Sequence, residues 1–200
     1  MTAPDYDDLY RDAATNSPPW EIGRVQPALA AVLDEAKGPK VLDAGCGTGT
    51  LALALARRGH QVTAFDVSRV AIDAARKKAA AEGLSVNFQV KDATQLSFPE
   101  APFDSIFDCG LLHNLYRHGG AAEYLAALPN LAAPGATVFV EAISAAAGYD
   151  WKLTEEILRA TFTGPQWTNT RIDEAEIDAQ VDGEQLSLPG LLLRTIRAAA

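Results

Sequence analysis

Two hundred residues suit one domain spanning 1–200, taking about 150 residues per domain, and 48% apolar with 22% charged residues is the balance of a globular chain with a real core. The net charge of −9 speaks against a nucleic-acid partner, whose phosphates demand a basic face. Cys46 and Cys109 form neither a disulfide framework nor a metal spacing, no apolar run reaches the ~18 residues of a membrane span, and a first decade carrying Asp5, Asp7 and Asp8 does not read as a signal peptide. No membrane contact and no metal are expected, and a reducing, cytoplasmic setting is.

In chain order, residues 1–26 read as an irregular N-terminal arm. Pro27 to Lys37 reads as a helix, with Pro27 in its first turn and Gly38 past its end. Val41-Leu42 is a first strand, and Thr50 to Arg58 a helix closed by Gly59. Val62 to Phe65 is a second strand; Ser68 then caps a helix that runs through Ala80 and ends before Gly83. Val86, Phe88 and Val90 alternate as a third strand. Asp104 reads as a turn residue before a fourth strand, Ser105 to Phe107, and Tyr116 and His118 read as loop. Ala121 to Leu131 is a helix that Pro129 should kink or shorten. Thr137 to Val140 is a fifth strand, and Thr154 to Phe162 a helix with Glu155 and Glu156 well placed in its first turn. Trp167 to Ile177 and Leu191 to Ile196 complete the set as strands six and seven. This βαβα order implies a parallel sheet with helices on both faces.

In such sheets ligands bind outside the carboxyl ends of the strands. The first strand ends in Asp43-Ala44-Gly45-Cys46-Gly47-Thr48-Gly49 and runs into a helix, so backbone and a helix N-terminus are offered to a ligand. The dinucleotide fingerprint needs its third glycine at position 50, where Thr50 stands, and no Gly-Lys-Ser/Thr follows to make a P-loop. The second strand ends at Asp66, 17 residues after Gly49, near the interval of an acid that accepts from ribose hydroxyls. The third ends at Asp92-Ala93.

These strand ends, with Phe103 to Gly110 at the fourth, resemble the motifs of class I S-adenosylmethionine (SAM) methyltransferases over residues 41 to 112. The resemblance implies an α/β, Rossmann-like, seven-stranded and mostly parallel sheet with an antiparallel last strand, and SAM as cofactor. It implies that Asp43 and the loop of Gly45, Cys46, Gly47 and Gly49 hold the methionine end. Asp66 then grips the ribose, Val67 lies on the adenine ring, Asp92 and the Ala93 backbone meet the adenine edge, and Asp108 and Cys109 face the cofactor.

At the fourth strand the Asp/Asn-Pro-Pro-aromatic signature of nucleic-acid amino methyltransferases is missing, as are the paired glutamates of arginine methyltransferases. That points to a small-molecule acceptor. The segment Asn16 to Pro27 resembles actinobacterial methyltransferases of heterocyclic aromatic toxins such as quinolones and quinone-like compounds, and thiopurine methyltransferases more distantly. Val25 stands where that segment has proline. The likeness extends to Leu111-Leu112-His113, the helix holding Tyr124, and Leu188 to Leu191. It implies that the arm is a lid, with Trp20 and Gln26 closing over cofactor and acceptor. His113 is the catalytic candidate, a base titrating near neutrality. Tyr149 and Trp151 are expected to stack on a planar substrate. The expected activity is methyl transfer to a small planar, heterocyclic aromatic acceptor, with oxygen favoured. An aliphatic or lipid-like acceptor, and a non-catalytic SAM-binding domain, stay open; the sequence sets no oligomeric state.

Overall fold

The computed structural model describes residues 4–11, 17–181 and 183–199. Asn16 of the arm segment lies outside them. Seven strands form one sheet in the order β3-β2-β1-β4-β5-β7-β6. They are β1 (Lys40–Ala44), β2 (Gln61–Asp66), β3 (Asn87–Val90), β4 (Phe103–Cys109), β5 (Ala132–Ile143), β6 (Trp167–Val181) and β7 (Glu184–Arg197). β1 to β5 pair in parallel. β7 runs antiparallel between β5 and β6.

Alternation along the strands sorts the core into two layers. Leu42, Ile106, Val138 and Val140 face one side, where Tyr124, Leu128 and Leu131 of α6 (Ala121–Leu131) and Leu158 of α7 (Glu155–Thr161) cover them. Val41, Phe107 and Phe139 face the other, against Leu51 to Leu55 of α3 (Thr50–Arg57) and Ile72, Ala75 and Ala79 of α4 (Arg69–Glu82). The Phe107 and Phe139 rings stack at 4.5 Å. Ser68 caps α4 as expected, its side chain accepting from the Ala71 N–H.

Local expectations failed in five places. The arm contains a helix, α1 (Tyr6–Arg11), held by Asp7, whose carboxylate accepts from the Ser68 hydroxyl and the Val70 N–H at the start of α4. The leading helix breaks into α2 (Pro27–Ala30) and a 3₁₀ turn at Leu33–Glu35, because Val32 at φ −115° departs from helical backbone. Tyr116 and His118 lie on a helix, α5 (Leu111–His118), and Asp104 lies inside β4, where it accepts from the Lys40 N–H. α6 runs through Pro129 to Leu131: the proline sits in its last turn, where little helix remains to be broken. No helix of the described residues is long and apolar enough to cross a membrane.

Candidate active site

The carboxyl ends of the parallel strands open onto one cavity of about 660 Å³, within the ~300–1,000 Å³ of small-molecule sites. Its wall includes Asp43, Gly45, Cys46 and Gly47 at the end of β1 and just beyond it, Asp66 and Val67 at the end of β2, Asp92 and Ala93 after β3, and Cys109 at the end of β4. The glycine turn shows why its spacing matters. Gly47 has φ 52°, and a Cβ there would meet the Tyr10 hydroxyl at 2.8 Å and Glu21 Oε1 at 3.1 Å. Its N–H donates to Asp66 Oδ2 at 2.9 Å while the Ser68 N–H donates to Oδ1 at 2.9 Å. Asp66 is thereby fixed in one rotamer, with a lone pair left on each oxygen. Burial pushes its pKa up, against those two N–H groups. Val67 is 52% exposed on the cavity side, a flat apolar surface.

Gly49 and Asp108 are not on the wall. A Cβ on Gly49 would meet Ala75 Cβ at 2.9 Å and the Phe88 ring at 3.0 Å, so this glycine serves helix packing. The Asp108 carboxylate points into the core and accepts from the N–H groups of Leu111 and Leu112, capping α5. The Asp92 Oδ1 is occupied by the Thr94 N–H and hydroxyl. Asp43 differs from all of these. It is buried, both carboxylate oxygens have no partner among the described residues, and burial pushes its pKa to about 8.

The arm covers the glycine turn. Tyr10 is buried and its hydroxyl accepts from Trp20 Nε1 at 2.8 Å, the two rings meeting edge to face. Glu21, which no motif singled out, accepts from the Thr48 hydroxyl at 2.6 Å. Beyond it the chain is stitched to the edge strand β6. Gln26 donates to the Asp178 carbonyl and accepts the Asp178 N–H, Gln180 N–H donates to the Pro19 carbonyl, and Arg24 pairs with Asp178 at 2.5 Å.

The far end of the cavity is lined by Ile143, Trp151, Ile177 and Leu188, with His113 and Glu141 among them. His113 is there, on the cavity wall. Its Nδ1 accepts the Ile143 N–H at 3.0 Å, which places the ring proton on Nε2. Burial, and then the Arg117 charge, lower its pKa to about 3. His113 is therefore a hydrogen-bond donor through Nε2–H. Trp151 meets His113 edge-on at 4.7 Å and carries the Arg117 guanidinium over its ring at 4.5 Å, so one of its faces is already covered. Tyr149 is 79% exposed and not on the cavity wall, which removes it from substrate stacking: its backbone, at φ 54°, turns it out to solvent. Glu141 was missed. Its signal was an acid breaking the apolar run Thr137 to Ile143 at a strand's ligand-facing end.

A parallel sheet with a glycine turn after β1, acids ending β2 and β3, and one reversed strand is the architecture of the class I SAM-dependent methyltransferases. A methyltransferase domain model matches residues 41–135. The 2-heptyl-1-hydroxyquinolin-4(1H)-one methyltransferase of Mycobacteroides abscessus is 34% identical, over 84% of this chain and 76% of its own length. A structure solved for "Conversion of a Disulfide Bond into a Thioacetal Group during Echinomycin Biosynthesis" is 32% identical, with TM-score 0.86 over 99% of this chain and 92% of that one. Magnesium protoporphyrin IX methyltransferase from Synechocystis PCC 6803, with bound SAM, shares the fold at 21% identity, TM-score 0.65 over 86% of this chain and 77% of that one. The chain belongs to the class I SAM-dependent methyltransferases, and SAM is its cofactor.

Proposed function

We propose that this enzyme methylates a small, planar, heterocyclic aromatic acceptor at oxygen, within one domain spanning 1–200 whose first 26 residues form a lid. The residues fit the cofactor. The unpartnered Asp43 carboxylate suits the methionine ammonium, Asp66 has lone pairs for the ribose hydroxyls, and Val67 and Ala93 offer an apolar seat for adenine. Bound there, SAM supplies a methyl group on a sulfonium leaving group. What the chain adds is alignment and exclusion of water. Trp20 and Tyr10 close the site over the glycine turn, and His113 Nε2–H orients an acceptor oxygen.

The observation that carries the reading is the far chamber: apolar walls from Ile143, Trp151, Ile177 and Leu188, with a neutral donor, His113, and an acid, Glu141, as polar groups. A flat apolar ring with one or two polar edges matches that surface. The quinolone methyltransferase relative supports the same acceptor class. The test is incubation with methyl-labelled SAM and an acceptor panel of hydroxyquinolones, other hydroxylated heterocycles, aliphatic alcohols and quinone precursors, read by product mass spectrometry. Label on a heterocycle oxygen is expected. Label confined to aliphatic or lipid-like acceptors, or none at all, overturns the reading.

A further inference from the structure

The cavity holds a carboxylate that cofactor binding leaves unused. Glu141, near the end of β5, is 1% exposed. The Cys109 thiol reaches its Oε2 at 3.5 Å, and its Oε1 has no partner among the described residues. A buried carboxylate oxygen without a donor is costly, and Glu141 lines the cavity, where a small side-chain shift would let a ligand donate to it. Glu141 stands on β5 two residues before Ile143, whose N–H fixes His113, and both Glu141 and His113 line the cavity. A proton acceptor and a locked proton donor thus share one chamber.

We propose that Glu141 removes the proton from the methyl acceptor while His113 Nε2–H holds an oxygen of the same molecule, so that the site selects heterocycles with an acidic O–H or N–H conjugated with a carbonyl. The inference rests on the acceptor reading given above. In the step, the acceptor's O–H or N–H bond breaks, the proton passes to Glu141 Oε1, and the electron pair stays on the atom to be methylated. The proton then leaves to water. The groups acting on Glu141 are Cys109 and Asp108 from β4 and Asp178 from β6; Arg24 is tied to Asp178. Burial, then the Asp178 and Asp108 charges, push its pKa up to about 7 against the Cys109 hydrogen bond, which suits a base working near neutrality. His113, locked with its proton on Nε2, does not compete for the role.

The experiment uses protein loaded with S-adenosylhomocysteine, 1-hydroxyquinolin-4-one as probe, and Glu141→Gln. Below the probe's own ionisation pH, its bound absorption spectrum should be that of the anion in the wild type and of the neutral form in E141Q; identical spectra overturn the proposal. Carbon-13 NMR of labelled glutamate, with the Glu141 signal assigned by its loss in E141Q, should show a midpoint near neutrality. A midpoint below about pH 5 overturns it. E141Q should bind S-adenosylhomocysteine within about twofold of the wild type, and a tenfold loss would make Glu141 a cofactor ligand instead. Turnover should fall about 10²–10⁴-fold for un-ionised acceptors and recover for those already ionised; an equal loss for both overturns the base role. A wild type that binds no heterocycle while Glu141 still titrates near neutrality overturns the acceptor reading and leaves the titrating carboxylate standing.

Discussion

Replacing Asp43 with asparagine should uncouple stability from binding. Both oxygens of Asp43 are buried without a hydrogen-bond partner among the described residues, and burial, against the Ala52 N–H, raises its pKa from 3.8 to about 8. In the unfolded chain the group loses its proton near the ordinary value; in the folded protein it keeps it. Between about pH 4 and 8 the folded state therefore binds more protons, and stability falls as pH rises through that window. One such group contributes a slope of about 1.4 kcal/mol per pH unit and a ceiling of roughly 6 kcal/mol across the whole gap. The asparagine variant has no proton to lose there. Its amide is as unpaired as the protonated acid and carries a like desolvation cost at every pH, so D43N should gain roughly 5 kcal/mol over the wild type at pH 8 and about 1.5 kcal/mol at pH 5. Urea unfolding of ligand-free protein at pH 5, 6, 7 and 8 measures this. Asp108 and Glu141, each raised to about 7, leave a residual slope in both proteins. D43N should be shallower than the wild type by one group's share, and parallel curves would refute the argument. The same variant should bind S-adenosylhomocysteine at least tenfold more weakly, since the methionine ammonium loses a charge-assisted partner worth about 1.5–3 kcal/mol.

Asp66→Ala should weaken S-adenosylhomocysteine binding by about 1.5–3 kcal/mol in calorimetry, with the Gly47 and Ser68 N–H groups losing their acceptor as well; unchanged affinity would remove Asp66 from the ribose. Tyr10→Phe deprives Trp20 Nε1 of its acceptor over the glycine turn and should cost about 0.5–1.5 kcal/mol of cofactor affinity, together with faster hydrogen exchange in residues 17–26. Equal exchange in both proteins would mean that the arm is fixed independently of this contact. His113→Gln keeps a donor near the Nε2 position and should retain turnover within about tenfold, the scale of one hydrogen bond. A loss of about 10²–10⁴-fold in steady-state kinetics would restore His113 as a base.

The parts of the site built from local sequence were legible. The glycine spacing after β1, Asp66 at the end of β2 and Ser68 at the start of α4 each depend on neighbours a few residues away, and each stands where the strand pattern placed it. What escaped depends on distant partners. α1 is six residues long, and Asp7 anchors it through Ser68 and Val70, some sixty positions away. α5 is the exception: it looked like a loop although its cap, Asp108, stands only three residues upstream at the end of β4. The His113 tautomer is set by a backbone N–H thirty residues downstream. Glu141 read as one acid in a strand, and only the fold shows that its Oε1 is buried and without a partner among the described residues.

The charge balance of the chain and the chemistry of its cavity are connected. Asp43, Asp66 and Glu141 all line it, and burial raises the pKa of each. Three ionised carboxylates in one low-dielectric space would repel strongly; partial protonation relieves that, and each can give up its proton when a cation arrives. SAM brings two positive centres, a sulfonium and an ammonium, so an acid-lined cavity is complementary to it. The cations at the wall are held elsewhere, Arg24 by Asp178, Arg117 over the Trp151 ring and Lys91 over the Phe98 ring. The state of His113 follows from the same electrostatics. An imidazolium at the far end of the cavity would oppose the approach of a sulfonium, whereas a neutral ring with its proton on Nε2 still orients the acceptor. A histidine kept neutral and an acid kept near neutrality divide the work: one holds the acceptor, the other takes its proton.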